Sequence, residues 1–179
     1  MTSLLGFTVL VVLVGVERIA ELVVSVRNAR WSFARGGVEH GGGHFPPMVA
    51  LHTGLLVGAL VEAWVRRPAV PPALAWSMLA LVVGSQALRW WCIATLGRQW
   101  NTRVIVVPGL TAVDHGPYRL LRHPNYVAVV VEGIALPLVH AAWITAVVFT
   151  VLNAALLRVR IRVEDEALAS LASGTQPVR

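Results

Sequence analysis

The residues best suited to chemistry form one polar stretch, residues 119–126, which lies between two very apolar segments. It places two arginines, His123, Asn125 and a tyrosine around Pro124, and Tyr118 directly precedes it. Proline has a fixed φ and no backbone N–H, so it suits the first turn of a helix. The free N–H groups and the dipole of a helix start favour an anionic group. The stretch therefore predicts either a binding site at a helix N-terminus or a loop-to-helix junction at a membrane surface.

A second polar cluster, residues 158–165, follows the last apolar segment and contains Arg160 and Glu164. Residues four positions apart lie on one face of a helix and can interact. This pair is therefore either a surface ion pair or part of a binding site, and the residues alone leave both interpretations open.

The two apolar segments between these clusters, Val127 to Leu138 and Trp143 to Leu157, are short for a membrane crossing. A helix rises about 1.5 Å per residue, and the hydrocarbon core is about 30 Å thick. Both segments can cross as a helical hairpin whose helices extend past the membrane, from Pro124 and to about Leu171. Because the open ends of a hairpin lie together, the two polar clusters are predicted to meet.

The composition indicates a membrane protein. Hydrophobic residues make up 56% of the chain, charged residues make up 13%, and the mean hydropathy is +0.69. Soluble domains average about 25% charged residues. Three further apolar segments, Leu4 to Val26, Met48 to Val65 and Ala73 to Leu96, are each long enough to span a bilayer. The prediction is an all-α, polytopic helical bundle of about five transmembrane helices in a single domain, residues 1–179.

The arginines predict how this bundle is oriented. All basic residues are arginine, and with five spans eleven fall on one side of the membrane and two on the other. The positive-inside rule makes the arginine-rich side cytoplasmic and accounts for the net charge of +6 without nucleic acid. The eleven are Arg27, Arg30, Arg35, Arg98, Arg103, Arg119, Arg122, Arg158, Arg160, Arg162 and Arg179, and the two are Arg66 and Arg67.

Ionisable residues also occur within the apolar segments. Glu17 and Glu21 are one helical turn apart, and ionisable residues at this depth usually face the bundle interior or a cavity. They are predicted either to form a structural ion pair, with Arg18 or Arg89, or to contact a substrate. A second pair, His52 and Glu62, adds to the polarity of the interior, with the same two alternatives.

A glycine-rich loop, residues 36–47, lacks the Gly-Lys-Ser/Thr end and the preceding strand of a phosphate-binding loop. His40, His44 and His52 match no common metal-ligand spacing, so no metal is predicted. Instead, Glu39 and His44 are expected to line the mouth of a cavity. The single cysteine in the chain excludes an internal disulfide.

The connection between the third and fourth apolar segments begins at Gly97, a plausible helix C-cap. Val104 to Val107 then forms a short strand or an extended segment. Pro108 and Gly109 turn the chain towards the polar stretch.

Three motifs together resemble the isoprenylcysteine carboxyl methyltransferase family, whose members are integral membrane enzymes that use S-adenosylmethionine. The resemblance covers roughly residues 96–170. The motifs are Leu96-Gly-x-x-Trp100, Gly116-x-Tyr118-x-x-x-Arg122-His-Pro-Asn-Tyr126 and Arg160-Ile-x-x-Glu164-Asp165-x-x-Leu168. The resemblance implies that residues 1–97 supply three N-terminal spans and residues 98–179 bind the cofactor.

Further motifs are similar to a bacterial branch associated with type III polyketide synthases, which O-methylates alkylpyrones and phenolic lipids. Two positions depart from the family pattern: the acidic pair is Glu164-Asp165 rather than two glutamates, and Arg103 replaces a different polar residue. The motifs are Glu17-Arg18-x-x-Glu21, Arg27-Asn28-x-x-Trp31, Glu39-x-Gly41-x-x-His44-Phe-Pro46, His52 and Glu132-Gly133-x-x-x-Pro137-Leu138.

The resemblance implies a role for each position. Glu164 and Asp165 bind the polar end of the cofactor, and Arg160 is the catalytic residue that faces the nucleophilic oxygen of the substrate. Residues that enclose or contact the cofactor are Leu110, Thr111, Ala112 and Val113, mainly through the backbone, with Tyr118, His123, Pro124, Asn125 and Tyr126.

The chemistry of S-adenosylmethionine agrees with these roles. The Glu164 carboxylate can bind the ammonium group, and aromatic faces can attract the sulfonium. Free N–H groups near Pro124 suit the carboxylate. Methyl transfer then needs positioning and exclusion of water rather than a metal. A phenolic acceptor would also benefit from a general base, for which His115, His44 and Glu39 are candidates.

Other functions remain open at this stage. Membrane sterol reductases share a similar Arg-His-Pro-x-Tyr segment and use NADPH, and a non-enzymatic lipid-binding protein is a third class. The predicted partners are a lipophilic acceptor and membrane lipids, with either an oxygen of a phenol or enol or a carboxylate as the site of transfer. The predicted location is the bacterial inner membrane, with the site facing the cytoplasm. The oligomeric state does not follow from the sequence.

Overall fold

The fold is known from a computed structural model that describes residues 4–111 and 113–172. These residues form a bundle of five α-helices: α1 (Leu4–Phe33), α2 (Phe45–Arg66), α3 (Pro72–Leu96), α4 (Pro124–Leu138) and α5 (Trp143–Ala172). The prediction of an all-α membrane bundle is confirmed.

Three segments of the described chain are long and apolar enough to cross a membrane: Gly42–Arg66, Pro72–Gln99 and Trp143–Ala167. Helix α1 has 30 residues but carries charges in its middle, and α4 is an apolar helix of only 15 residues. The count of about five spans therefore stays a prediction for α1 and α4.

The helix ends follow from local sequence. Pro72 and Pro124 occupy the first positions of α3 and α4, where a missing N–H costs nothing. Gly97 ends α3 with a positive φ of 52°, and its N–H bonds to the carbonyl of Ile93. The predictions that α4 starts at Pro124 and that α5 continues to about residue 171 are both confirmed.

Helix packing divides the bundle into two different ends. At the end that holds the start of α1, a tight apolar core includes Phe7, Val11, Val82 and Leu136. At the opposite end lie the start of α4 and the charged end of α5. Many outward side chains are apolar, as expected for contact with lipid, among them Leu13, Ile19, Leu81, Val147 and Val151.

The α4–α5 hairpin is held by a close helix contact and by a cap from α2. Gly133 of α4 packs directly against the buried ring of Phe149 of α5, which leaves no room for a side chain. The Glu62 carboxylate of α2 accepts hydrogen bonds from the backbone N–H groups of Ile144 (3.1 Å) and Thr145 (2.8 Å). It therefore caps the first turn of α5, as carboxylates often do.

Two short strands form a small antiparallel sheet at the end of the bundle that is predicted to face the cytoplasm. Strand β1 (Val38–His40) pairs with β2 (Val104–Val106), with Glu39 opposite Ile105. The strand expected near residue 104 is confirmed, but its partner in the glycine-rich loop was not predicted. This pairing joins segments more than sixty residues apart, and neither strand is long enough to be recognised alone.

Candidate active site

The open end of the hairpin brings the two polar clusters together, as the topology predicts. The Tyr126 hydroxyl on α4 donates a hydrogen bond of 2.5 Å to Oε2 of Glu164 on α5. The imidazole of His123 lies 3.8 Å from Glu164 Oε1 and 3.3 Å from Asp165 Oδ1. Arg122 reaches Asp165 Oδ1 at 3.1 Å. One polar group, called here the hairpin cluster, is thus formed by Arg122, His123, Tyr126, Glu164 and Asp165.

The hairpin cluster has unused hydrogen-bonding capacity. His123 Nε2 and Asp165 Oδ1 are buried and lack a hydrogen-bond partner within the described residues, apart from their ion-pair contacts. Buried polar atoms are normally paired, so such atoms mark places where a ligand or water fits. About a third of the Glu164 side chain is exposed, at 32%. These features fit a ligand that carries an ammonium and other polar groups.

Tyr118 lies beside this cluster on a 3₁₀ helix, Gly116–Arg119. The helix approaches α3 so closely that a Cβ on Gly116 would lie 2.7 Å from Thr95 Oγ1, and the φ of Gly116 is +60°. Burial, with the neighbouring Cys92 thiol, raises the pKa of the Tyr118 phenol well above its usual range. Tyr118 is therefore neutral and presents an aromatic face and an O–H group.

The other predicted contacts lie in the loop before this 3₁₀ helix. Leu110, Thr111 and Val113 have irregular backbone there, and Thr111 is exposed. Ala112 lies outside the described residues. Among the hydrogen bonds and ion pairs described for the hairpin cluster, none reaches this loop, so its predicted contacts with a cofactor stay a prediction.

Arg160 is directed into the bundle and lies beside the Tyr126 ring rather than beside Glu164. Only 9% of the residue is exposed, its Nη2 donates to the backbone carbonyl of Thr102 at 2.7 Å, and its Nη1 contacts Met48. Its guanidinium carbon lies 5.7 Å from the centre of the Tyr126 ring. The alternative of a surface ion pair with Glu164 is wrong, because Arg160 is buried and its described contacts lie elsewhere.

Arg160 forms part of the wall of an interior cavity of about 130 Å³. Tyr126 also lines this cavity, so it faces both the cavity and the hairpin cluster. The remaining wall is apolar in part, with Val49, Leu56 and Leu156, and polar in part. The polar wall residues besides Arg160 include His52, Asn101, Asn125, Asn153 and the charged residues Arg18, Glu21 and Arg89.

Those charged residues belong to a buried ion-pair network between α1, α3 and α4. Arg18 lies 2.7 Å from Glu21 and 2.5 Å from Glu132, and Arg89 contacts Glu132 directly and lies 3.3 Å from Glu21. The ion pair expected for Glu21 is confirmed, and both of the predicted partners, Arg18 and Arg89, contact it. Glu132 was not predicted as a partner, although a lone acidic residue in an apolar segment signals a buried ionic contact.

Glu17 also forms the expected ion pair with Arg18, at 3.9 Å, and its hydrogen bonds reach α3. Its carboxylate accepts hydrogen bonds from the Trp90 indole at 2.6 Å and from the Gln86 amide. Both contacts join α1 to α3. Glu17, Glu21, Glu62 and His52 therefore all have partners in the protein itself: Glu62 caps α5, and His52 Nδ1 lies 2.9 Å from the carbonyl oxygen of Met48. His52 and Glu21 also line the cavity.

The three candidate bases lie in two places. Glu39 and His44 line a small cavity beside Arg160, and Glu39 lies 3.3 Å from Arg103. His115 is exposed in the loop before the 3₁₀ helix. Within the described residues, no group of three or more His, Cys, Asp or Glu side chains is placed to hold a metal ion.

Comparison with known proteins identifies the class. The sequence profile of the isoprenylcysteine carboxyl methyltransferase (ICMT) family matches residues 78–170, which include α4, most of α5 and the hairpin cluster. The chain belongs to this family. It is therefore an integral membrane protein of a methyltransferase family whose members take the methyl group from S-adenosylmethionine.

Two bacterial relatives extend the similarity to the N-terminal helices. The uncharacterized protein YpbQ of Bacillus subtilis (strain 168) is 36% identical over 163 residues, covering 90% of this chain and 96% of YpbQ. An uncharacterized protein of Haemophilus influenzae is 24% identical over 155 residues, covering 86% of this chain and 90% of its own. The similarity to each relative spans nearly the whole of both chains.

Proposed function

We propose that this protein transfers a methyl group from S-adenosylmethionine to an oxygen of a lipophilic acceptor. Alkylpyrones, alkylresorcinols and other phenolic lipids are the favoured acceptors, and an isoprenylcysteine-type carboxylate is the alternative. The observation that carries the proposal is the position of Tyr126, which contacts both the hairpin cluster and the interior cavity. A cofactor at the cluster and an acceptor in the cavity would meet there.

The cofactor side of this proposal uses the hairpin cluster. S-adenosylmethionine supplies an electrophilic methyl group on a sulfonium. The Glu164 carboxylate, held by the Tyr126 hydroxyl, suits its ammonium group, and the rings of Tyr118 and Tyr126 suit its positive sulfur. The unpaired polar atoms of His123 and Asp165 can form further hydrogen bonds with the cofactor. The first turn of α4, with Pro124 and Asn125, has free N–H groups and a helix dipole that suit the carboxylate of the cofactor.

The acceptor side uses Arg160 and the cavity. A buried guanidinium can hold the oxygen that receives the methyl group as an oxyanion, while the enclosed wall excludes water. An ionised enol or a carboxylate needs no base. For a phenol, Glu39 and His44 are the base candidates nearest to Arg160, because they share a small cavity with it.

The acceptor class is tested with purified protein in detergent and S-adenosylmethionine that carries a labelled methyl group. A long-chain alkylresorcinol, a long-chain 4-hydroxy-2-pyrone and a farnesylated N-acetylcysteine are offered separately. Transfer to the ring lipids well above transfer to the farnesylated cysteine supports the proposal. Transfer to the farnesylated cysteine alone would contradict the phenolic and pyrone acceptors and favour the carboxylate alternative. Transfer to none of the three would contradict the proposed O-methylation of these lipids.

A further inference from the structure

The cavity beside Arg160 contains polar atoms that have no hydrogen-bond partner among the residues that the structure describes. Asn153, in the middle of α5, is only 3% exposed, and its Oδ1 is buried without a hydrogen-bond partner in the described part of the chain. Asn125 Oδ1 and Asn101 Nδ2 are in the same situation, and all three side chains line this one cavity. Unpaired buried amides are rare because they are costly, so three around one cavity call for a ligand.

His52 adds a further acceptor to the same wall. Its Nδ1 lies 2.9 Å from the backbone carbonyl oxygen of Met48. A carbonyl oxygen only accepts, so Nδ1 carries the hydrogen, and Nε2 of the neutral ring is left as an acceptor. Its edge-to-face contact with Phe149, at 5.4 Å between ring centres, fixes the ring in this orientation.

The size of the cavity limits what can bind. Its volume of about 130 Å³ is close to that of a cavity of about 150 Å³ that holds one benzene molecule. A space of this size accommodates a single six-membered ring. Val49 and Thr53 of α2 line the cavity and are also exposed, so a tail attached to the ring has a route to the lipid on this side.

The distances along α5 suit a ring with two polar substituents. Asn153 and Arg160 are seven residues apart, which places them on one helix face about 10 Å apart along the axis. Both side chains lean towards the N-terminus, but the Arg160 side chain is the longer and spans part of this distance. One substituent can thus face Arg160 while another faces the amides.

We infer that this cavity binds the ring of the acceptor lipid and that Asn153 recognises a hydroxyl group other than the one that is methylated. The unpaired Asn153 Oδ1 needs a donor, and the single hydrogen of a hydroxyl supplies one, whereas a carboxylate only accepts and leaves Asn153 Oδ1 unpaired. The unpaired N–H group of Asn101 can donate to the oxygen of the same hydroxyl, while Asn125 Oδ1 and His52 Nε2 are acceptors for further donors of the ligand or for water. The inference rests on the proposed function and narrows its acceptors to rings with at least two oxygen substituents.

The test compares a long-chain alkylresorcinol with its monomethyl ether, which keeps one reactive hydroxyl and masks the other. In the unmodified protein, kcat/KM for the resorcinol should exceed that for the ether by roughly tenfold to a hundredfold, as expected for one buried hydrogen bond. Asn153→Leu should remove this preference by lowering only the value for the resorcinol. Leu156→Ala, which alters the apolar wall, should lower both values by a similar factor.

Further measurements separate the possible failures. Asn153→Leu should bind S-adenosylhomocysteine normally and melt no lower than the unmodified protein, because it removes an unpaired polar group; Asn153→Ala serves as a second variant. Equal loss for both lipids in Asn153→Leu, or no preference in the unmodified protein, would overturn the inference. So would a protein that binds S-adenosylhomocysteine but does not methylate the resorcinol. A protein that does not bind S-adenosylhomocysteine would overturn the proposed function instead.

Discussion

Two side chains, Tyr126 and Arg160, connect the two halves of the site. The Tyr126 hydroxyl holds Glu164 in the hairpin cluster, and its ring faces the guanidinium of Arg160 in the cavity. Arg160 in turn is held by a hydrogen bond to the carbonyl of Thr102, and other N–H groups of its guanidinium remain to bind the acceptor oxygen. Arg160 is therefore assigned to the acceptor and Glu164 to the cofactor.

This division predicts different effects on kinetics and on binding. Arg160→Ala should lower kcat/KM for the lipid acceptor by at least about a hundredfold, because a donor to the reacting oxygen is typically worth that much. The affinity for S-adenosylhomocysteine should change little. Arg158→Ala is the matched control, because Arg158 lies on the same helix but is exposed. Equal activity of the two variants in a labelled-methyl assay would remove Arg160 from the mechanism.

At the scale of helices, the contact between α4 and α5 positions the hairpin cluster. Gly133 allows this contact because the Phe149 ring occupies the space where a Cβ would lie. The cluster lies two to three helical turns from Gly133 along α4, so a shift of this contact would displace Tyr126 relative to Glu164. The cap from Glu62 holds the same hairpin against α2, and the ion pairs of Glu132 hold it against α1 and α3.

Gly133→Ala is therefore expected to destabilise the protein by about 1–3 kcal/mol, as overpacking does. Its melting temperature in detergent should fall, and its affinity for S-adenosylhomocysteine should fall with it. Gly84→Ala is the control, because a Cβ on this α3 glycine would meet no atom of the described residues within 4 Å. Alanine has a higher helix propensity than glycine, so the Gly84→Ala variant should melt at the same temperature as the unmodified protein or at a higher one. Identical melting of the two variants would contradict the packing described here.

The helix ends could be predicted from sequence because their signals are local. Pro72, Gly97 and Pro124 mark ends of α3 and α4. The contact between the polar clusters of Tyr126 and Glu164 could also be predicted, because the open ends of a helical hairpin lie together. The β1–β2 pairing, the role of Glu132 and the cavity could not be predicted, because each depends on contacts between distant parts of the chain. Asn153 did carry a signal, as a lone amide in an apolar helix, but its partners appear only in three dimensions.

At the scale of the whole molecule, one end of the bundle has a tightly packed apolar core, and the other end has a cavity and exposed polar groups that could bind ligands. The tight core near Phe7 holds the helices together, and the cavity and the hairpin cluster lie towards the other end. The arginine-rich loops also lie at that end, which supports a site facing the cytoplasm in a bacterial inner membrane. This orientation stays a prediction, and labelling of the thiol in Arg158→Cys from only one side of the membrane would decide it.

The central claim is that the hairpin cluster binds S-adenosylmethionine, and its most direct test is a binding titration. Purified protein in detergent is titrated with S-adenosylhomocysteine and separately with NADPH, beside Glu164→Gln and Glu166→Gln. Glu166 is exposed on the same helix and serves as the control. We expect saturable binding of S-adenosylhomocysteine that Glu164→Gln weakens by at least about tenfold and Glu166→Gln leaves unchanged. Binding of NADPH alone, or equal affinities in the two variants, would contradict the account.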